Sequence, residues 1–193
     1  GRMQGVRGPI MKKHAVNDLT RLLEAIKESD AIVVVAGAGL STAAGLTYGG
    51  ERFQRYFADF IEARRFTDMY SAGFYPFETS EERWAYWSRH IWYNRYVDAP
   101  KDTYDKLLRL LEGKEYFVWQ CSVPCHAGTY DNYETVKRMM EEQRDMRAPS
   151  ELVPRCPRCG AEMSMNLRVD NTFVEDVGWH DAARRYRKFA EAC

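Results

Sequence analysis

The sequence lacks a long apolar run, a net charge and a hydrophobic leader, and each absence excludes a class of protein. Its longest uninterrupted apolar run is Ala31–Ala36, far shorter than the roughly 20 residues that a membrane-spanning helix needs. The 28 basic and 28 acidic residues cancel, so no overall field attracts nucleic acid or an anionic membrane. The first nine residues contain no hydrophobic segment of the signal-peptide kind. We therefore expect a cytoplasmic protein that binds neither nucleic acid nor membrane.

In that compartment the five cysteines are expected to be thiols or metal ligands rather than disulfides. Four of them form two close pairs, Cys121-Ser-Val-Pro-Cys125 and Cys156-Pro-Arg-Cys159, whereas Cys193 stands alone. Thiolates two or three residues apart can turn back on one cation, and two such pairs complete a tetrahedron. Because four cysteines leave no open coordination position, the spacing predicts a structural zinc ion bound by Cys121, Cys125, Cys156 and Cys159. Four ordinary thiols are the alternative.

The order of the predicted elements indicates an α/β protein. An amphipathic helix over Val16–Ile26, with Asn17 or Asp18 as its cap, precedes the β-branched run Ala31–Ala36. That run is typical of a fully buried parallel strand. Glu115–Gln120 is predicted to be a second strand.

Aromatic residues dominate the segment between residues 51 and 97, where two helical stripes are predicted. The first stripe runs from Phe53 to Ile61, and the second helix follows the capping box Thr79-Ser-Glu-Glu82. So many aromatic residues at helical spacing are more typical of a packed helical insert than of a cofactor site. Further helices are predicted at Asp102–Glu112, which Gly113 ends, after a cap at Asp131, and from Trp179 towards the chain end.

A glycine-containing turn, Gly37-Ala-Gly-Leu-Ser41, follows the first strand. In an α/β sheet this is a common place for a ligand, and backbone N–H groups there can bind a pyrophosphate. The fingerprint G-x-G-x-x-G is not met, because position 42 is Thr, and no Lys-Ser/Thr pair follows to form a P-loop. On spacing alone, a plain strand-to-helix turn and a nucleotide site fit equally well.

The stretch Ala36-Gly-Ala-Gly-Leu-Ser-Thr-Ala-Ala-Gly45 resembles the NAD motif of sirtuins, and the paired cysteines resemble the zinc module of that family. The resemblance implies NAD and zinc as cofactors and a Rossmann-like parallel sheet with a small zinc-binding module and a helical insert. It also implies that NAD contacts six residues of the turn and the loop after it: Gly37, Ala38, Gly39, Ser41, Thr42 and Gly45.

The Pro-Asp-Phe-Arg sequence of sirtuin deacetylases is replaced by Thr47-Tyr-Gly-Gly-Glu-Arg-Phe53, with Arg52 and Phe53 as the counterparts expected to contact NAD. This departure resembles the class M sirtuins, which are linked to macrodomain operons. Three other stretches agree: Trp119-Gln-Cys-Ser, Cys125-His-Ala-Gly-Thr-Tyr-Asp-Asn132 and Met165-Asn-Leu-Arg-Val-Asp-Asn-Thr-Phe-Val-Glu-Asp176. The class M resemblance implies a protein ADP-ribosyltransferase that modifies a lipoyl-carrier protein of the glycine-cleavage type, and a macrodomain protein as a candidate partner.

Two segments of the family pattern are missing from the sequence. A Thr-x-Asn-x-Asp loop and the catalytic base position would lie between Val118 and Trp119, and adenosine-binding loops would follow Cys193. We expect the full protein to contain both segments, because the flanking motifs are intact. Arg168, in a polar run after the zinc module, is the predicted catalytic residue, since a guanidinium can hold a phosphate or carboxylate in a bidentate fork. A solvated arginine is the alternative.

The resulting domain prediction has three parts. Residues 10–118 form the Rossmann-like NAD-binding part with an insert at 51–99, residues 119–165 form the zinc-binding module, and residues 166–193 return to the Rossmann-like part. Two other functions stay open. One is an NAD-dependent protein-lysine deacylase, and the other is a catalytically inactive, zinc-stabilised binding module if the two missing segments are truly absent.

Overall fold

A computed structural model describes residues 8–120, 132–157, 159–165, 175 and 177–192. The described chain is mixed α/β and mostly helical. Its helices are α1 (Gly8–Glu28), α2 (Ala38–Ala43), α3 (Gly50–Arg64), α4 (Met69–Ala72), α5 (Ser80–Ile91), a π-helix (Trp92–Tyr96), α6 (Thr103–Leu111), α7 (Tyr133–Glu142), a 3-10 turn (Ser150–Leu152) and α8 (Val177–Ala192). Its strands are β1 (Ala31–Ala36) and β2 (Glu115–Gln120). Among these residues, no helix is both long and apolar enough to cross a membrane.

Strands β1 and β2 pair in parallel, in a register that runs from Ala31 opposite Glu115 to Ala36 opposite Gln120. Both strands and their parallel pairing confirm the sequence predictions. The prediction that β1 is fully buried is wrong, because Val33 is 42% and Val35 is 79% exposed. The reason is that the sheet has two strands in the described part of the chain, which leaves the valine face uncovered. A larger Rossmann-like sheet is therefore not confirmed.

Helix α8 packs against the second strand of this sheet. The ring centroid of Phe117 on β2 lies 5.3 Å from that of Tyr186 and 5.9 Å from that of Phe189. The helix confirms the predicted amphipathic segment at the end of the sequence. Its contacts identify the apolar stripe of α8 as the side that faces β2.

The hydrophobic core lies in the helical part of the molecule. Helices α3, α4, α5 and α7 and the segment around the 3-10 turn contribute one continuous buried cluster: Phe53, Phe57, Phe60, Met69, Ala72, Trp84, Ala85, Tyr86, Trp87, Ile91, Val136, Met139, Ala148, Leu152 and Val153. This cluster confirms that the aromatic stripes pack in a helical core, while their being an insert in a Rossmann-like part stays a prediction. It also places α7, which was predicted to belong to the zinc module, in the same core as that insert.

Two helix ends confirm the predictions made from capping residues in the sequence. The Thr79 hydroxyl caps α5 by accepting a hydrogen bond from the Glu82 N–H at 3.2 Å, as the capping box predicts. Helix α6 ends at Leu111, two residues before Gly113, whose φ of +75° lies in the left-handed region that glycine favours.

Two predicted caps differ from the structure. Helix α1 begins at Gly8 and runs through Asn17 and Asp18, because these residues cost only a few tenths of a kcal/mol inside a helix and Asp18 pairs with Arg21 one turn later at 4.0 Å. Helix α7 has Asn132 as its cap, and the predicted cap Asp131 lies outside the described residues.

Candidate functional site

The glycine turn lies at the carboxyl end of β1, and its first residue is the N-cap of α2. Gly37 is the extended N-cap residue of this helix, and its carbonyl accepts a hydrogen bond from the Leu40 N–H at 3.1 Å. No side chain of the described residues caps the helix. Among the described residues, no atom lies within 4 Å of a Cβ placed on Gly37 or Gly39. The described part of the chain therefore leaves space beside both glycines.

The loop that follows the π-helix and the first residues of α6 hold the other end of this turn. The Lys101 N–H donates to the Ala44 carbonyl at 3.0 Å, and the Thr103 hydroxyl donates to the Ala43 carbonyl at 3.1 Å. Ala44 is completely buried. The Tyr104 hydroxyl donates to the Ser41 hydroxyl oxygen at 3.0 Å. Ser41, a predicted NAD contact, is thus also held by the protein.

Gly45 ends the turn, and both its backbone conformation and its packing favour glycine. Its φ is +91°, and a Cβ at this position would lie 3.0 Å from the Cβ of Pro100. Both conditions favour glycine. The sequence singled out Gly45 as an NAD contact, whereas the structure shows that glycine is also required for packing against Pro100.

The loop after the turn connects back to it and forward to the helical core. The Leu46 N–H donates to the Ser41 carbonyl at 2.9 Å, and the Met69 N–H donates to the Tyr48 carbonyl at 2.8 Å. This loop therefore lies between the glycine turn and α4, and its shape depends on both.

The structure separates the two residues predicted to replace the deacetylase motif. Arg52 is half-buried, and its Nη1 donates to the Thr47 carbonyl and to Asn94 Oδ1, each at 3.0 Å. Phe53 is 2% exposed, and its ring centroid lies 5.4 Å from that of Phe57 in the core. Arg52 thus borders the loop, whereas Phe53 offers almost none of its surface to a ligand.

The hydrogen-bonding groups of the turn suit binding rather than proton transfer. The turn supplies backbone N–H groups and the hydroxyls of Ser41 and Thr42, none of which titrates near neutral pH. The nearby His90 is 4% exposed, and burial, followed by the charge of Arg52, lowers its pKa to about 4. His90 is therefore a neutral core residue.

The second cysteine pair lies in a tight hairpin. The Gly160 N–H donates to the Cys156 carbonyl, and the Cys156 N–H donates to the Ala161 carbonyl, both at 2.8 Å. Arg155 and Glu162 face each other across this hairpin and form an ion pair at 2.9 Å. Cys156 and Cys159 therefore begin and end one turn, the geometry that a two-cysteine half-site requires.

The remaining predicted site residues fall outside the described part of the chain. These are the zinc ligands Cys121 and Cys125 and the catalytic residue Arg168. Among the residues that are described, no group of three or more histidine, cysteine, aspartate or glutamate side chains could hold a metal ion. The four-cysteine zinc site thus stays a prediction.

The chain is similar to one protein whose name describes a transferase. A protein from Staphylococcus aureus (strain Mu50 / ATCC 700699) named protein ADP-ribosyltransferase is 40% identical over 200 residues, a match that covers 88% of this chain and 63% of the relative. The chain therefore spans less than two thirds of the length of that relative. No protein-family model matches the chain.

The match also contains an internal difference in length. Because 88% of the 193 residues is about 170 residues, about 30 of the 200 aligned positions are occupied only in the relative.

Proposed function

We propose that the protein is an NAD-dependent protein ADP-ribosyltransferase of the sirtuin type, class M. The observation that carries the proposal is the 40% identity to a protein ADP-ribosyltransferase, together with an open glycine turn at the end of β1. The alternative of a lysine deacylase has no comparable support. The substrate we propose is a lipoyl-carrier protein of the glycine-cleavage type, in its lipoylated form.

The described residues fit NAD at the glycine turn. The space that the described residues leave beside Gly37 and Gly39 would allow a pyrophosphate to approach the backbone closely. The N–H groups of Ala38 and Gly39, in the first turn of α2, would bind it, with the Thr42 hydroxyl as a further donor. When bound, NAD supplies the ADP-ribose that is transferred as nicotinamide leaves.

Two further residue sets complete the proposal. Zinc would be held by Cys121, Cys125, Cys156 and Cys159, and its role would be to stabilise the fold, since four thiolates fill its coordination shell. Arg168 would act on the ribose or the acceptor through its guanidinium. A macrodomain protein remains our proposed partner.

A transfer assay tests this function. The full protein is incubated with NAD that carries a label in its ADP-ribose part, and with a lipoyl-carrier protein in lipoylated or unlipoylated form. We expect label on the lipoylated carrier, little on the unlipoylated one, and weak or no deacetylation of an acetyl-lysine peptide. Gly39→Val and Arg168→Ala should each abolish labelling, whereas the matched control Cys193→Ser should retain it.

Two results would overturn the proposal. Robust deacetylation without labelling of either carrier would favour the deacylase. Absence of both reactions in a folded, zinc-loaded chain would favour an inactive binding module.

A further inference from the structure

The guanidinium of Arg52 connects three segments of the chain. Its Nη1 donates to the Thr47 carbonyl and to Asn94 Oδ1, both at 3.0 Å, and its Nη2 donates to the Tyr93 carbonyl. Thr47 belongs to the loop after the glycine turn, whereas Tyr93 and Asn94 belong to the π-helix. One side chain in the first turn of α3 thereby links that loop to the helical core.

We infer that Arg52 is a positioning residue: it fastens the loop of residues 46–49 to the π-helix and so holds the glycine turn in the shape that NAD requires. The inference rests on the proposed function. It differs from the sequence-based prediction, in which Arg52 itself contacts NAD. The connection from loop to turn is the hydrogen bond from the Leu46 N–H to the Ser41 carbonyl at 2.9 Å.

The π-helix presents its acceptors to Arg52 in a fixed orientation. The Asn94 side-chain amide donates to the His90 carbonyl at 2.8 Å, which turns the Asn94 oxygen towards the guanidinium. The ring of Tyr93 stacks on that of Tyr56 with centroids 3.6 Å apart. These contacts orient the part of the π-helix to which Arg52 links the loop, and π-helical turns are frequent at functional sites.

The chemistry of the contact requires arginine. The acceptors, two carbonyls and an amide oxygen, are neutral, and within the described residues no carboxylate pairs with Arg52. A guanidinium can reach acceptors in three directions because its donors form a planar fork, whereas the ammonium of lysine is a single point charge. Hydrogen bonds from a charged donor are also stronger than those from a neutral one.

Hydrogen exchange and NAD calorimetry on the full chain test the inference together. In Arg52→Lys and in Asn94→Leu we expect amide exchange at residues 46–50 to rise, and NAD affinity to fall, each by about tenfold. Exchange in α5 should not change. Asn94→Asp keeps an acceptor for the guanidinium and should restore NAD affinity to within about twofold of the parent.

Arg55→Gln is the matched control. Arg55 lies on the same helix, and its guanidinium carbon is 5.5 Å from the Tyr56 ring centroid, so the substitution removes a nearby charge without removing the link to the loop. It should change neither measurement. If Arg52→Lys raises amide exchange in α5 as well, the result for Asn94→Leu decides whether Arg52 fastens the loop, because that substitution leaves the charge of Arg52 in place.

Two outcomes would overturn the inference. A fall in NAD affinity with unchanged exchange at residues 46–50 would mean that Arg52 contacts NAD directly. Unchanged exchange and unchanged affinity would mean that the link has no role. If the parent chain binds no NAD, the proposed function fails, and loop exchange alone decides whether Arg52 fastens the loop.

Discussion

The pKa of His90 depends on its burial in the aromatic core. Its ring centroid lies 5.0 Å from that of Trp87 and 5.6 Å from that of Tyr48, and its Nδ1 has no hydrogen-bond partner in the structure described. Burial is the main reason that its pKa is lowered from 6.5 to about 4, with the charge of Arg52 as the second cause. The folded protein therefore keeps the ring neutral at pH values where the unfolded chain is protonated.

This difference predicts a loss of stability in mild acid. The contribution of His90 is present above pH 6.5 and is lost as the pH falls from 6.5 to about 4, because the unfolded chain takes up the proton first. The free energy of unfolding should fall by about 3 kcal/mol over this pH range. Urea unfolding at pH 7 and pH 4 measures it, and His90→Phe should reduce the difference between the two pH values by this amount. If the free energy of unfolding changed equally between pH 7 and pH 4 in the parent and in His90→Phe, this explanation would be wrong.

At the residue scale, a local signal predicted the capping hydroxyl of Thr79, and the structure confirms it. The NAD contacts at Gly37 and Gly39 stay a prediction. The braces of the turn were missed because their partners are distant in the sequence: Tyr104 is 63 residues from Ser41, and Asn94 is 42 residues from Arg52. No periodicity or motif spacing connects such pairs.

At the scale of the elements, α5 carries much of the core and depends on its cap. The Thr79 hydroxyl satisfies the Glu82 N–H, one of the donors that a helix leaves unpaired at its start. Thr79→Ala should therefore lower the free energy of unfolding by about 1 kcal/mol, whereas Thr79→Ser should restore it. Urea denaturation of the three proteins measures the effect. Equal stability of all three would show that the cap contributes nothing.

The sequence predicted the type of the helices and strands better than their burial. Periodicity identified β1, β2, α5, α6 and α8, because a helix and a strand repeat their apolar residues differently. The burial of β1 was predicted wrongly, since a run such as Ile32-Val-Val-Val35 is typical of a covered strand, while Val35 is 79% exposed in the two-stranded sheet described. Burial depends on neighbours that the run itself does not encode.

Across the whole molecule, the proposed zinc ion would join two distant parts of the chain. We predict one zinc per chain, bound by the four paired cysteines, and a loss of that zinc in Cys156→Ser. Structural zinc contributes on the order of 10 kcal/mol in finger peptides, so chelation should unfold at least this module. Metal analysis and thermal unfolding measure both effects, with Cys193→Ser as the matched control. A zinc-free parent with the same melting temperature as Cys156→Ser would exclude the site.

The hydrophobic core and the proposed cofactor site belong to different parts of the molecule. The buried cluster lies within Phe53–Val153, whereas the glycine turn follows a strand whose valine face is exposed. The sequence predicted both parts and their types, but their connection through Arg52 and through the loop at Pro100 emerged only from the fold.

The binding of NAD at the glycine turn is the central claim, and titration calorimetry with NAD tests it most directly. A Cβ at Gly39 would meet no atom of the described residues within 4 Å. Gly39→Val should therefore leave the fold and the zinc content intact, while its branched side chain fills the space that the phosphates need. The account predicts binding by the parent and by Ala63→Val, an exposed control on α3, and at least about tenfold weaker binding by Gly39→Val. Equal NAD affinity in the parent and in Gly39→Val would contradict it.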